Sequence, residues 1–101
     1  MSTLKDKSEA GVSAFSAIVR GRVQGVGFRY TCLSEASRMG LSGWVRNVRD
    51  GSVEVWAEGS QEGQVQFLTW LHRGPPGARV DSVQTSPQTP TGQYRNFSIK
   101  Y

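Results

Sequence analysis

Three glycines and two arginines lie within the nine residues from Gly21 to Arg29, at the end of an apolar run. Glycine lets a backbone turn sharply and bring its N–H groups close to a ligand, and successive N–H groups in such a turn attract phosphate. A helix that begins at about Phe28 adds its free N–H groups and its dipole to that attraction. Arg29 then lies in the first helical turn, where its planar guanidinium can bind two phosphoryl oxygens. The segment therefore predicts an anion-binding loop.

Other phosphate-binding motifs do not fit this segment. Counted from Gly21, residue 26 is Val and no Lys-Ser/Thr pair follows, so the segment is not a P-loop. Counted from Gly25, residue 30 is Tyr, so the dinucleotide fingerprint fails as well. The alternative is an ordinary strand-to-helix turn, which a lone Gly-x-Gly would justify.

Cys32 and Arg38 are separated by five residues, which is the spacing of the cysteine phosphatases. That chemistry needs a loop of backbone amides around phosphate, whereas the residues between these two are good helix formers without glycine. On a helix the two side chains would lie far apart around the axis, and a cysteine on an apolar face is unreactive. A thiol mechanism is therefore not expected. Because His72 is the only histidine and no metal-ligand cluster is present, we expect neither a metal ion nor a cofactor.

The net charge of +4 is concentrated around the glycine-rich segment. Residues 20–49 contain six arginines and one acidic residue, whereas the rest of the chain contains six basic and seven acidic residues. A local positive potential of this kind draws anionic ligands. Nucleic acid is one such anion, but the arginines are isolated from one another and form no dense basic tract. We therefore expect no nucleic-acid partner.

Length and cysteine content place further bounds on the protein. A chain of 101 residues fits one domain with one core. The single cysteine cannot form an intramolecular disulfide, and the sequence shows no charged leader or long apolar stretch. We therefore expect a cytoplasmic protein without membrane contact. Residues 1–12 are polar and without period, which predicts a flexible tail ahead of a domain over residues 13–101.

Hydrophobic periodicity divides that domain into strands and helices. Alternation predicts strands, the Asp50-Gly51 pair predicts a hairpin, and steps of three and four residues predict a helix on either side of the hairpin. The predicted strands are 13–21, 44–49, 53–58, 78–85 and 96–101, the helices run over 28–39 and from after Gly59 to Arg73, and a connection spans 86–93. The side chains expected to face the core from the second helix and the last strand are Val65, Leu68, Leu71, Phe97, Ile99 and Tyr101.

The order β-α-β-β-α-β plus a short strand predicts an α+β, ferredoxin-like sandwich, in which two helices cover one face of an antiparallel sheet. In a β-α-β unit the two strands run parallel, so their C-terminal ends emerge at the same edge. The glycine-rich segment follows the first strand, and Asn47 lies near the end of the second. A neutral carboxamide there can accept a hydrogen bond from water and donate one to a phosphoryl oxygen.

With these residues in view, the chain closely resembles the acylphosphatases over about residues 14–101. Several spaced motifs in the right order make a chance similarity unconvincing. The motifs are Val19-x-Gly-x-Val-Gln-Gly-Val-Gly-Phe-Arg29, Leu41-x-Gly-Trp-Val-Arg-Asn47, Asp50-Gly51-x-Val53-Glu54, Trp70-Leu71-x-x-Gly74-Pro75 and Phe97-x-Ile99-x-Tyr101. The chain departs from the common pattern in its N-terminal tail and in the longer 86–95 connection, neither of which touches a motif position.

The resemblance implies a metal-independent hydrolase that cleaves the carboxyl-phosphate bond of small acyl phosphates. Inorganic phosphate would be both product and inhibitor, and the protein would act as a monomer. By the same resemblance, Arg29 binds the phosphoryl group and Asn47 orients the attacking water. The substrate-binding residues it implies are Gln24, Gly25, Val26, Gly27, Phe28 and Arg29.

A binding module is the alternative from another class, because RNA-binding domains share this sandwich and related domains occur inside larger carbamoyl-transfer proteins. RNA readers of this fold display aromatic side chains on the central strands, whereas the outward positions here are mainly charged. The sequence therefore favours the enzyme.

Overall fold

The computed structural model describes residues 12–101. Its elements are β1 (Val12–Arg22), α1 (Phe28–Arg38), β2 (Ser42–Asn47), β3 (Val53–Ser60), α2 (Gln61–Arg73), β4 (Arg79–Gln88) and β5 (Phe97–Lys100). The flexible tail predicted for residues 1–12 lies outside the described residues, apart from Val12, which begins β1.

The five strands form one sheet in the order β4-β1-β3-β2-β5. Because β3 pairs antiparallel with both β1 and β2, these two strands run in the same direction and end at the same edge of the sheet. β5 pairs with β2 in parallel, so the sheet is mixed. The predicted α+β sandwich is confirmed, and the short last strand adds a parallel edge to it.

β4 is longer than the sequence predicts. It pairs with β1 as far as Gln88, which lies opposite Ala14, so the irregular connection begins only at residue 89. Pairing with most of β1 overrides the low strand propensity of the Ser/Pro-rich segment. Pro87 is tolerated because β4 lies at the edge of the sheet, where a missing N–H need not face another strand.

Both helices pack on the same face of the sheet. The inward residues of β1 and β3 are fully or nearly fully buried there, and α1 contributes Phe28, Cys32 and Ala36. The buried face of α2 is formed by Phe67, Trp70 and Leu71 rather than by the predicted Val65, which is 62% exposed. The ring of Phe67 contacts those of Phe15, Trp70 and Phe97, so the large aromatic side chains determine which way the helix faces.

On the opposite face of the sheet, a buried carboxylate holds the connection between β4 and β5. Glu58 is 4% exposed, and it accepts hydrogen bonds from the Trp56 indole, from the Thr91 N–H and hydroxyl, and from the Gly92 N–H, at 2.7–3.1 Å. Burial by itself raises the pKa of Glu58, but these hydrogen bonds together outweigh it and hold the pKa below its ordinary value. The charged form of Glu58 therefore stabilises the fold.

Glu58→Gln is expected to lower the free energy of unfolding at pH 7 by about 1–3 kcal/mol. The glutamine NH2 group cannot accept hydrogen bonds, so some of the donors around residue 58 lose their acceptor. The lowered pKa in the folded state means that the contribution of Glu58 is fully present above its unfolded pKa and is lost as the pH falls through the folded pKa. The gap between wild type and variant should therefore close at low pH. Urea unfolding of both proteins at pH 7 and pH 3 measures this difference in the free energy of unfolding.

Glu54→Gln provides the matched control, since Glu54 lies on the same strand and face but forms only a partly exposed ion pair with Arg46. It should change stability by less than about 1 kcal/mol. An equal loss in both variants at pH 7 would show that Glu58 is not a specific anchor of the connection.

Candidate functional site

The segment between β1 and α1 turns through two left-handed glycines. Gly25 has φ 78° and Gly27 has φ 76°, a region that other residues rarely occupy. A Cβ added at either position would meet no protein atom within 4 Å. The backbone conformation, and not crowding by the protein, is thus the reason for glycine, and the space in front of the loop is open to a ligand.

The N-terminus of α1 continues this loop. Gly27 caps the helix without a side chain, and the first helical hydrogen bond runs from Thr31 N–H to the Gly27 carbonyl at 3.0 Å. Within residues 12–101, no backbone N–H from residue 24 to residue 30 donates to a protein acceptor. This run of donors, together with the positive end of the helix dipole, is suited to an anion.

Arg29 and Asn47 line the same cavity, which has a volume of about 210 Å³. Arg29 belongs to the first turn of α1, and Asn47 is the exposed last residue of β2. Both residues reach this cavity because β1 and β2 end at the same edge of the sheet, as the topology predicts. The residues that line the cavity are Val23, Gly25, Gly27, Phe28, Arg29, Tyr30, Asn47, Ile99 and Tyr101.

The Arg29 guanidinium lies over the ring of Tyr101, with 5.1 Å between its central carbon and the ring centroid. A cation–π contact of this kind is weak at an exposed position, and it leaves the N–H donors of Arg29 free for a ligand. Tyr101 was expected to point into the core, but it follows the last residue of β5 and is almost completely exposed. The alternation of Phe97 and Ile99 predicts that Tyr101 continues the buried face, because the pattern does not show that β5 ends at Lys100.

Two of the predicted substrate-binding residues do not line the cavity. The side-chain NH2 of Gln24 donates to the carbonyls of Val48 and Ser52, both at 2.8 Å, and Val26 packs against the core. Any contact of Gln24 or Val26 with a substrate must therefore come from the backbone N–H. The side chain of Gln24 serves a different purpose, which the sequence alone did not reveal.

The hairpin loop that follows Asn47 is held by its own hydrogen bonds. The Val48 N–H donates to the Ser52 carbonyl at 2.8 Å, and the Asp50 carboxylate accepts from the Ser52 N–H and hydroxyl at 2.9 and 2.6 Å. The Ser52 hydroxyl and N–H hold the pKa of Asp50 below its ordinary value. Asn47 is therefore attached to an ordered turn.

Cys32 and Arg38 do not form a site. Cys32 is completely buried in the core face of α1, and burial raises the pKa of its thiol. Arg38 is exposed and forms an ion pair with Glu35 at 2.6 Å. His72 makes a ring-nitrogen hydrogen bond to the Leu68 carbonyl at 3.0 Å, near the end of α2 and outside the cavity. None of these side chains contacts the Arg29 cavity.

Alkylation gives a direct test of the thiol. Iodoacetamide at pH 8 is expected to leave both the mass and the activity of the folded protein unchanged, because the thiolate is the reactive form and the buried thiol does not ionise there. The same reagent in urea should add one carbamidomethyl group. Loss of activity in step with modification of the folded protein would place Cys32 in the chemistry.

Two searches over the described part of the chain were negative. Residues 12–101 contain no group of three or more His, Cys, Asp or Glu side chains placed to hold a metal ion. No helix in the same range is long and apolar enough to cross a membrane.

The glycine loop, the N-terminus of α1 and Arg29 line one cavity of a two-helix α+β sandwich, which defines an α+β domain with a cavity suited to an anion. A sequence model of the acylphosphatase family matches residues 15–99. The chain belongs to the acylphosphatase family.

Individual proteins agree with this assignment. The chain is 54% identical to an acylphosphatase of Synechococcus over 73% of its own length and 63% of that protein. It is 44% identical to an acylphosphatase of Anaeromyxobacter dehalogenans over 83% of its own length and 90% of that protein. Its structure is similar to that of the acylphosphatase from Bacillus subtilis, with a TM-score of 0.85 and 38% identity, covering 88% of this chain and 99% of that one.

Proposed function

We propose that this protein hydrolyses acyl phosphates to a carboxylate and inorganic phosphate without a metal ion, by attack of a water molecule that Asn47 orients. The reaction class follows from membership of the acylphosphatase family. The roles of the residues rest on one observation, which is that Arg29, the glycine loop and Asn47 line a single cavity.

Arg29 and the loop amides bind the phosphoryl group in this proposal. A planar guanidinium can donate two parallel hydrogen bonds to phosphoryl oxygens, and the N–H groups of Gly25, Gly27 and Phe28 supply further donors around the same anion. In the transition state of phosphoryl transfer, charge is spread over the equatorial oxygens. Preorganised donors therefore stabilise the transition state more than they stabilise the substrate.

Asn47 positions the nucleophile. Its carboxamide oxygen accepts a hydrogen bond from water, and its NH2 group donates to a phosphoryl oxygen. The water oxygen forms a bond to phosphorus while the bond from phosphorus to the acyl oxygen breaks, and the carboxylate leaves with the bonding electrons. The water proton passes to a phosphoryl oxygen. Because a carboxylate is a stable anion at neutral pH, its departure needs no general acid.

The substrate in this proposal is a small molecule. The cavity of about 210 Å³ admits a phosphoryl group and the first atoms of the acyl group. Trp44, on the opposite face of the sheet, is only 9% exposed, and Lys100 and Arg46 lie against its ring. Base stacking on that ring would require these cations to move, so we propose no nucleic-acid partner.

Cytoplasmic location and a monomeric state complete the proposal. A free, buried Cys32 suits a reducing compartment. The proposed mechanism uses Arg29, the glycine loop and Asn47 of the same cavity and assigns no role to a second copy. Light scattering at micromolar concentration measures the molar mass in solution, which should be that of one chain, 11.1 kDa.

Release of inorganic phosphate from benzoyl phosphate in the presence of a chelator tests the proposed reaction. Turnover should be unchanged by the chelator, and inorganic phosphate should inhibit competitively. In water enriched in oxygen-18, the label should appear in phosphate and not in benzoate. Label in benzoate would mean attack at the carbonyl carbon, and turnover that disappears with the chelator would mean that a metal ion takes part.

A further inference from the structure

The side chain of Gln24 connects the two halves of the candidate site. Gln24 belongs to the glycine loop, and its NH2 group donates to Val48 O and to Ser52 O, both at 2.8 Å. Val48 directly follows Asn47, and Ser52 is the residue before β3 begins at Val53. One carboxamide thus holds both sides of the base of the β2–β3 hairpin.

The two acceptors are already part of the turn that orders this hairpin. Val48 O also accepts from the Gly51 N–H at 3.0 Å, and Ser52 O accepts from the Val48 N–H at 2.8 Å. Gln24 therefore attaches to a turn that is closed by its own hydrogen bonds, and the loop and the turn are fixed relative to each other. Within the described residues, no other side-chain hydrogen bond joins residues 23–30 to residues 47–52.

We propose that Gln24 is a positioning residue that sets the distance between the phosphate-binding loop and the Asn47 carboxamide. This inference rests on the proposed function of Asn47. The side chain of Gln24 does not line the cavity, and both of its N–H groups are used in the hairpin, so it does not bind the phosphoryl group in this proposal. It acts through Asn47, by holding the strand end that carries this residue against the loop that holds the phosphoryl group.

A positioning role has a different kinetic signature from a binding role. Phosphate binding depends on Arg29 and the loop amides, whereas alignment of the water depends on where Asn47 lies relative to them. Small misplacements of a reacting group cost rate without a matching loss of binding, and a shift of 1 Å can cost about a hundredfold. Loss of the Gln24 link should therefore lower kcat and leave phosphate affinity nearly unchanged.

Gln24→Met tests this, because methionine keeps the length of the side chain and removes both donors. We expect kcat for benzoyl phosphate to fall about tenfold, with KM and the inhibition constant of inorganic phosphate within about twofold of wild type. Gln24→Asn, which is shorter by one methylene and cannot span both carbonyls, should behave in the same way. Gln24→Asn also provides the test of the proposal if the methionine variant does not fold.

Gln64→Met is the matched control. The NH2 group of Gln64 also donates to backbone carbonyls, those of Ser13 and Gly59, but at the opposite end of the sheet from the cavity. A substitution there removes equivalent hydrogen bonds, so it should lower the melting temperature and leave kcat unchanged. A similar fall of kcat in both variants would attribute the effect to general loss of stability and overturn the proposal.

A double-mutant cycle with Asn47→Ala shows whether Gln24 acts through Asn47. The factor by which Gln24→Met lowers kcat should shrink to less than about twofold when Asn47 is already absent. The same factor in both backgrounds, or an unchanged kcat in Gln24→Met alone, overturns the inference while the role of Asn47 stands. If Asn47→Ala by itself keeps the wild-type kcat, the proposed function of Asn47 fails, and the inference fails with it.

Discussion

Arg29→Ala is expected to lower kcat/KM for an acyl phosphate by at least about a hundredfold, as is typical when one well-placed donor to a developing charge is removed. Among the described residues that line the cavity, Arg29 alone carries a guanidinium, and it belongs to the first turn of α1. Its loss removes both binding and transition-state stabilisation. The inhibition constant of inorganic phosphate should therefore rise together with the loss of rate, while the circular dichroism spectrum stays unchanged.

Arg38→Ala is the control for this prediction. Arg38 lies on the same helix and carries the same charge, but it is exposed and paired with Glu35 far from the cavity. Its loss should leave kcat and phosphate affinity within about twofold of wild type, because an exposed ion pair contributes little. Arg29→Lys should recover only part of the activity, since an ammonium group cannot form the planar pair of hydrogen bonds. Near-normal turnover in Arg29→Ala would refute the role of Arg29.

Asn47→Ala is expected to lower kcat by about a hundredfold, while KM and the phosphate inhibition constant rise by only about twofold, because Arg29 and the loop amides supply most of the donors to the phosphoryl group. Asn47 is exposed at the end of β2, and the structure gives its side chain no hydrogen bond to another described residue. Its removal should therefore cost little stability. The effect should fall on alignment of the water and on a hydrogen bond made in the transition state. Steady-state kinetics with benzoyl phosphate and urea unfolding measure the two quantities separately.

The other asparagine of the chain, Asn96, supplies the control. Asn96 is exposed before β5, and its backbone carbonyl, not its side chain, accepts from the Gly43 N–H. Asn96→Ala should leave both kcat and stability near the wild-type values. If Asn47→Ala keeps a normal kcat but binds phosphate more weakly, Asn47 binds phosphate and does not orient the water, and the proposed mechanism is wrong.

The local part of the fold could be predicted because it depends on residue type and spacing. Asp50-Gly51 indicated the hairpin, Gly74-Pro75 the end of α2, and the steps from Phe28 to Cys32 and Ala36 the buried face of α1. The right-handed crossover and the parallel direction of β1 and β2 then predict that both strands end at the same edge of the sheet. Residues 29 and 47, which follow β1 and end β2, are therefore expected at one edge of the sheet from the topology alone.

Features that depend on partners distant in sequence could not be predicted in this way. β5 pairs in parallel with the free edge of β2, and the full length of β4 depends on its pairing with β1. The contact of Arg29 with Tyr101 joins residues at opposite ends of the domain. The motif implies that Gln24 binds substrate, but it does not indicate that the acceptors of the Gln24 side chain lie in the hairpin. The spacing predicts that Val65 lies in the core, whereas Phe67 and Trp70 are buried there and Val65 is exposed.

Titration of the ¹⁵N-labelled protein with inorganic phosphate, followed by NMR, tests most directly whether the loop, Arg29 and Asn47 hold one anion. The backbone amides of residues 25–30, the Arg29 side-chain Nε–H and the Asn47 side-chain NH2 should shift along one saturable curve, and the Gln64 side-chain NH2 should not move. Arg29→Ala should abolish the curve at the same phosphate concentrations. Saturable shifts that leave the loop amides or the Asn47 carboxamide unaffected would show that phosphate binds elsewhere, and the site described above would be wrong.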